Sequence, residues 1–308
     1  MSRRGLLLFA AMALIWGIPY LLIRIAVTEI SPAALVFART AIGAAILLPV
    51  ALLRVDFRRL LRRWPWLAAF ALVEIAVPWL LLGSAEQRIS SSLAGLLVAA
   101  VPLVGAAIAI ATRGADRFGS VGLLGLLVGL AGVAAIVGTD LEAEDAVALA
   151  QMAGVVVGYA VGPAILARRL GGESSLGVMA LSLAGCAVLY APIVALDPPA
   201  ALPSPAVLGA IGVLAVVCTA VAFLVFAALI AEIGPVRATV ITYVNPAVAA
   251  VLGVLVLGET FTPAMAVGFA LVVAGSSLAT RPAAPVAPTS GADLGPTLDG
   301  EPGRVAAP

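Results

Sequence analysis

The sequence predicts an all-α membrane protein of ten transmembrane helices, arranged as two inverted five-helix repeats. Three observations support this prediction: a composition typical of lipid-embedded chains, ten separate apolar runs, and landmarks that recur at a fixed interval. Of the 308 residues, 63% are hydrophobic and 11% are charged, and the mean hydropathy is +1.19. Soluble domains are about 25% charged, so this balance favours a chain that lies in a bilayer.

The composition also excludes several classes of function. A net charge of +1 is too small for a nucleic-acid binder, whose affinity depends on neutralised phosphates. All 17 basic residues are arginines, so the lysine of a phosphate-binding loop and the histidine of a Ser-His couple are missing. Every Asp lies outside the apolar runs, which excludes an intramembrane aspartyl pair. Cys186 and Cys218 stand at no metal-ligand spacing. We therefore expect no enzyme, no cofactor and no metal site.

Ten apolar runs are long enough to cross a bilayer core of ~30 Å, which needs about 20 residues per helix. The expected spans are 5–26, 32–53, 64–84, 89–111, 118–138, 147–167, 176–196, 205–230, 235–257 and 262–280. The first run is longer than the apolar core of a signal peptide, and Trp16, Pro19 and Arg24 interrupt the pattern of a cleavage site. We expect this helix to remain in the mature protein.

The arginines predict the orientation, because basic residues near helix ends are retained on the cytoplasmic side. With the N-terminus inside, thirteen arginines fall on the cytoplasmic side, and only Arg24 and Arg88 fall on the other. We therefore expect a multi-pass protein of the cell membrane with both termini in the cytoplasm.

Landmarks of the first half recur about 144 residues later. Pro19 and Pro102 correspond to Pro163 and Pro246, and these four prolines are the expected helix-break or gating positions. At a shift of 143 further pairs match, namely Pro49 with Pro192, Gly125 with Gly268, and Gly132 with Gly275. Five helices per half is an odd number, so the second half enters the membrane in the opposite sense. Inverted repeats enclose a cavity near the bilayer midplane, which predicts transport by alternating access.

The repeat divides the chain into four parts. The first repeat covers 1–138, an external acidic loop covers 139–146, the second repeat covers 147–280, and a cytoplasmic tail covers 281–308. The tail is rich in Pro, Gly and Ala and is predicted to be disordered, because it cannot bury enough apolar surface to offset its ordering entropy. Glycines in the fifth and tenth spans form small faces that allow close helix packing, within one chain or between two, so a homodimer is left open.

Two charged residues lie deep in the predicted spans. Arg39 and Glu74 are roughly 11 and 15 Å below the outer ends of adjacent helices, at a rise of 1.5 Å per residue. A charge at this depth costs about 2.5–3.5 kcal/mol, so each of these residues is expected to have a stabilising partner or a function. Three interpretations are open: they form an ion pair, Glu74 faces another group, or Arg39 binds a carboxylate or phosphate of the substrate while Glu74 competes and takes a proton. Trp16, Tyr159, Tyr243 and Asn245 complete the candidate substrate site.

The chain resembles the EamA-type transporters of the drug/metabolite transporter superfamily over roughly residues 5–280. The resemblance is carried by ALIWGIPYLLIRIA, by PAALVFARTAIGA, and by two proline-centred helices that contain VAAVPLVGAAIA and TYVNPAVAAVLGVLVLGE. The second half has Ala160 and Val161 where the first has Trp16 and Gly17, and Glu259 at the family's repeat ending has no acidic counterpart in the first half. The resemblance implies a cell-membrane transporter of ten helices, often an exporter of amino acids or other small metabolites.

We therefore expect a secondary transporter, an exporter by resemblance, whose partners are a small-molecule substrate, the lipid bilayer and a coupling proton. A channel or a non-transporting membrane scaffold is the alternative. A channel would ordinarily show a ring of like charges or a carbonyl filter loop, and the sequence shows neither.

Overall fold

The computed structural model describes residues 2–113, 119–138, 145–234 and 238–280, and within these ranges the chain is helical and contains no strand. Most of the predicted loop 139–146 and the whole predicted tail 281–308 lie outside the described residues. Apart from a short helix at Phe57–Leu61, the helices in chain order are α1 (Arg3–Ala26), α2 (Pro32–Arg54), α3 (Trp64–Glu86), α4 (Ser91–Val98 and Val101–Arg113), α5 (Gly119–Val137), α6 (Asp145–Arg169), α7 (Ser175–Leu196), α8 (Pro205–Ile233), α9 (Thr239–Tyr243 and Asn245–Leu257) and α10 (Pro263–Ala279).

Eight of these helices are long and apolar enough to cross a membrane, and the two others, within α5 and α10, are shorter apolar helices. Each lies where the sequence predicts a span, with ends that differ by a few residues. Local signals explain the agreement: Ser31, Ser204 and Thr262 cap the starts of α2, α8 and α10 with their side-chain oxygens. A proline follows each of these caps, where its missing N–H costs nothing.

The four prolines expected at helix-break or gating positions lie in two different settings. Pro102 follows the interruption between the two segments of α4, and Pro246 stands at the start of the second segment of α9. Pro19 and Pro163 instead lie inside α1 and α6, which run without a break. A helix interior tolerates proline in a membrane protein when neighbouring groups satisfy the freed carbonyl, so the proline alone does not decide a break.

Two turns of π-helix interrupt α3 and α8, and the sequence analysis did not predict them. They span Ala71–Ala76 and Val216–Val221. A π-turn inserts an extra residue into the helix and changes which side chains face the neighbouring helices, and such turns are frequent at functional sites. The first contains Glu74 and the second contains Thr219.

The glycine faces of α5 and α10 pack against each other within the chain. A Cβ added at Gly132 would lie 2.6 Å from the carbonyl oxygen of Gly268, and one added at Gly125 would lie 2.7 Å from that of Gly275. Backbones can approach this closely only where no side chain intervenes. The small faces of α5 and α10 are therefore used inside the protomer.

The bundle has two ends, defined here by α1: the proximal end, where α1 begins, and the distal end, where α1 finishes. At the proximal end, Glu173 forms an ion pair with Arg59, with 3.1 Å between Nε of Arg59 and Oε1 of Glu173. At the distal end, the backbone N–H of Ser204 donates to the Glu29 carboxylate at 2.6 Å. Hydrogen bonding by Ser204, through its side chain and its backbone, holds the pKa of Glu29 below its usual range.

Candidate substrate-binding site

Arg39 of α2 is the centre of a buried polar cluster. Its side chain is only 7% exposed. The Nε atom donates to Oγ1 of Thr219 in α8 at 2.9 Å, and the guanidinium lies over the ring of Trp79 in α3, with 3.6 Å between Cζ and the ring centroid. Tyr20 and Tyr159 are electrostatic neighbours of the same guanidinium. These five residues, from five separate regions of the chain, are called the Arg39 cluster below.

The π-turn in α8 positions the acceptor for Arg39. The hydroxyl of Thr219 donates to the carbonyl of Leu214, five residues earlier, at 2.8 Å. That bond leaves the oxygen lone pair of Thr219 directed at the arginine. Gly43 of α2 provides the space, because a Cβ there would lie 3.3 Å from Cγ2 of Thr219.

Glu74 does not pair with Arg39 in this structure. Among the described residues Arg39 makes no ion pair, and the Oε2 atom of Glu74 is buried without a hydrogen-bond partner. The Glu74 carboxyl group instead lies against Gly162 of α6, in the space that a Cβ at residue 162 would occupy. Glu74 lies twelve residues below the end of α3, so its depth is roughly 18 Å against roughly 11 Å for Arg39.

Of the other predicted site residues, one belongs to the Arg39 cluster and three have other surroundings. Tyr159 belongs to the Arg39 cluster. Trp16 packs on Phe226 of α8, with 4.7 Å between the ring centroids. Tyr243 is half-buried at the end of the first segment of α9, and Asn245 opens the second segment with its Oδ1 buried and unpartnered in the described chain. Trp16, Tyr243 and Asn245 are not among the hydrogen-bond or ring contacts of Arg39 given by the described residues.

Glu86 is a buried acid that the sequence analysis placed in a loop. Its side chain is fully buried, and neither carboxyl oxygen has a hydrogen-bond partner within the described ranges. Nη1 of Arg24 donates to the backbone carbonyl of Glu86 rather than to the carboxylate. The available signal was spacing: Pro78, Leu82 and Glu86 follow one another at intervals of four, and all three are buried.

Glu259 joins the corner after α9 to the first turn of α4. Its carboxylate accepts hydrogen bonds from the backbone N–H groups of Ser91 and Ser92, both at 2.8 Å, and from the Ser92 hydroxyl at 2.5 Å. A helix N-terminus favours a negative charge. Burial raises the pKa of Glu259, but the hydrogen bonds from the two serines outweigh it and hold the pKa below its usual range. Gly253 leaves room for this contact, because a Cβ there would overlap the carboxylate.

Residues 3–138 and 147–281 each match the model of the EamA-like transporter family. The chain belongs to this family. It is also 30% identical over 259 residues to the uncharacterized inner membrane transporter YedA of Escherichia coli strain K12, with 82% of each chain covered, and matches YedA of E. coli O157:H7 equally well. One solved crystal structure, 22% identical, has the same fold, with a TM-score of 0.62 over 91% of this chain and 97% of the other.

As a member of the EamA family, and thus of the drug/metabolite transporter superfamily, the chain is a multi-pass membrane transporter and not an enzyme. The Arg39 cluster contains residues from both matches to the EamA model. Arg39 and Trp79 lie in the first match, and Thr219 lies in the second. The cluster therefore joins the two EamA units.

Proposed function

We propose that this protein is a secondary transporter that exports a small organic metabolite by alternating access, and that Arg39 binds an anionic group of that metabolite. The supporting observation is the buried guanidinium of Arg39, which forms no ion pair with an acid of the described residues. Arginine offers a planar set of donors that matches a carboxylate or phosphate, and a buried charge is retained only where a partner neutralises it for part of the time. Trp79 and Thr219 orient Arg39 but supply no negative charge.

The architecture that we propose is ten spans in two inverted repeats, with both termini in the cytoplasm. Three helices of the first half each pack against the corresponding helix of the second half, namely α2 on α7, α4 on α9 and α5 on α10. This is the pattern expected around a two-fold axis in the membrane plane. The contacts of α1 with α8 are matched by those of α6 with α3. The π-turns of α3 and α8 begin 145 residues apart, close to the spacing of the matched prolines.

Proton coupling through Glu74 is the second part of the proposal. Its buried oxygen has no partner in the described part of the chain, and an unpaired carboxylate in such a place is costly. Tyr159 is an electrostatic neighbour of both Glu74 and Arg39, so it links the two. Binding of an anion at Arg39 would thereby affect whether Glu74 carries a proton. An amino acid is one candidate metabolite, since it supplies the carboxylate.

The test begins with a matched ligand screen on the purified protein. L-alanine, L-lactate and glucose 6-phosphate are each compared with a partner that lacks the charge: L-alaninamide, lactamide and glucose. We expect thermal stabilisation by at least one anion and not by its partner, because a ligand at 100 times its Kd stabilises by about 2.7 kcal/mol. Stabilisation that ignores the charge would contradict the role of Arg39.

The second step measures counterflow of the stabilising anion in proteoliposomes. We expect saturable counterflow in the wild type and its loss in Arg39→Ala, with the melting temperature of the unliganded protein retained. Arg39→Lys, which keeps the charge but loses the planar donors, is the matched control and is expected to retain part of the flux. Wild-type counterflow in Arg39→Ala would refute the site. Unsaturable conductance would favour a channel, and no flux of any kind would favour a scaffold.

A further inference from the structure

The acid at residue 86 is a second unpaired carboxyl group in the bundle. Glu86 ends α3 at the distal end, and its side chain is 0% exposed. Both of its oxygens lack hydrogen-bond partners in the described residues, whereas Glu74 has one such oxygen. The mechanism proposed above makes no use of this group.

Several packed elements contribute ionisable groups around Glu86. From α1 come Arg24, which binds the backbone carbonyl of Glu86, and the phenol of Tyr20. Tyr159 comes from α6, and Glu259 comes from the corner after α9. The first turn of α4 contributes serines: the backbone N–H groups of Ser91 and Ser92 and the Ser92 hydroxyl donate to Glu259, and the Ser91 hydroxyl is buried without a partner in the described residues. Among the charged neighbours of Glu86, the cation Arg24 is opposed by a second acid, Glu259.

This position connects two parts of the molecule. On one side, Tyr20 and Tyr159 belong to the Arg39 cluster. On the other side, Arg24 and Glu259 line a cavity of about 490 Å³ at the distal end, together with Glu29, Arg88 and Ser204. Glu86 therefore has neighbours both in the Arg39 cluster and in the lining of a space that is large enough to hold water. A carboxyl group with two free oxygens can accept a proton from one side and release it to the other.

We propose that Glu86 is a proton-binding site of the transport cycle, through which the distal cavity exchanges protons with the Arg39 cluster. Its place in the cycle rests on the transport function proposed above. A buried carboxylate with no donor is unfavourable, while the neutral acid loses little by burial. Glu86 is accordingly protonated while the site is closed, and it releases the proton when movement of the EamA units admits water. Glu74 responds to the substrate, and Glu86 supplies the path to the distal side.

The first test does not depend on transport. Infrared difference spectra between the wild type and Glu86→Gln, recorded on protein in lipid at neutral pH, are expected to show the carbonyl band of a protonated carboxylic acid. Its frequency is expected to shift on transfer to D₂O, because the proton exchanges with the distal cavity. The control is Asp197→Asn, which removes an exposed acid at the distal end that does not line the cavity and is expected to leave the band unchanged. Absence of the band from the Glu86 difference spectrum would overturn the proposal.

The second test separates proton exchange from substrate binding. In proteoliposomes with the anion selected by the screen, Glu86→Gln is expected to lower uptake driven by a pH gradient by about tenfold or more, as for loss of a positioned proton-transfer group. Counterflow needs no net proton movement and is expected to remain. Unchanged gradient-driven uptake would overturn the proposal, and so would loss of counterflow, which would indicate a packing role. If the wild type shows no saturable counterflow, the transport function fails, whereas the infrared result still reports on the protonation of Glu86.

Discussion

The π-turns of α3 and α8 are the same backbone device with different side chains. In α3, the carbonyl of Ala76, the last residue of the turn, accepts a hydrogen bond from Tyr190 of α7 at 2.9 Å. Glu74, in the same turn, has a buried oxygen without a partner within the described ranges. The backbone of this turn is satisfied by a neighbouring helix, and its charged side chain is not.

In α8, the polar side chain of the turn is fully used. Thr219 donates to Leu214 and accepts from Arg39, so it closes its own turn and docks the arginine. The comparison shows how two related units can differ: the turn of α8 holds a cation, and the turn of α3 presents a carboxyl group with an unpartnered oxygen within the described ranges. The repeated backbone sets where the groups lie, and the side chains decide what each turn does.

The largest effect is expected when the π-turn of α8 also receives an acidic side chain. In Thr219→Asp, a carboxylate takes the place of the hydroxyl beside Nε of Arg39 and neutralises it permanently. We expect the anion to bind roughly 100-fold more weakly, since a close buried charge pair is worth about 2–5 kcal/mol to whichever partner holds it. The measurement is titration of the stabilising anion by its effect on the melting temperature.

The matched control for this substitution is Thr219→Asn, which has nearly the same shape and no charge. We expect anion affinity to fall only slightly, because an amide oxygen can still accept from Arg39. Equal losses for the Asp and Asn variants would show that Thr219 matters for packing and that the charge of Arg39 is not what the ligand uses.

The second prediction removes the charge from the α3 turn. Glu74→Gln keeps the shape of the side chain but cannot take up or release a proton. We expect accumulation driven by a pH gradient to fall about tenfold, while counterflow persists, because the positioned acid that couples them is gone. Glu232→Gln, which alters an acid at the proximal surface, is the control. A gradient response equal to that of the wild type would remove Glu74 from the proposal.

The sequence predicted the helices well and the contacts of the site poorly, for physical reasons. Apolar runs and capping residues such as Ser31 are local signals, and they determine where a helix starts. The π-turn of α8 has no such signal, because VVCTAV contains neither Gly nor Pro. In α3, Pro78 lacks the N–H that would bond the carbonyl of Glu74, which is a local signal for a disturbed turn, but the donor to Ala76, Tyr190, lies more than a hundred residues away. A π-turn changes which neighbour a side chain faces. The partners of Arg39 and Glu74 therefore depend on tertiary packing, which spacing alone does not provide.

The smallest predicted effect is a change in melting temperature when a glycine near each π-turn is replaced by alanine. Gly162 of α6 lies against Glu74, and a Cβ there would be 2.9 Å from the Glu74 Cβ, too close without moving α6 away from α3. Gly212 of α8 has nothing within 4 Å of an added Cβ. Alanine favours a helix over glycine by up to about 1 kcal/mol, while overpacking costs about 1–3 kcal/mol. We therefore expect Gly212→Ala to raise the melting temperature slightly and Gly162→Ala to lower it by a few degrees, at roughly 2–4 °C per kcal/mol.

Adding Glu74→Ala to Gly162→Ala is expected to recover part of the loss, since the carboxyl group no longer occupies the space. Equal melting of the two single variants would mean that Glu74 does not lie against α6, and the contrast between an unpaired acid in α3 and a satisfied hydroxyl in α8 would lose its structural basis.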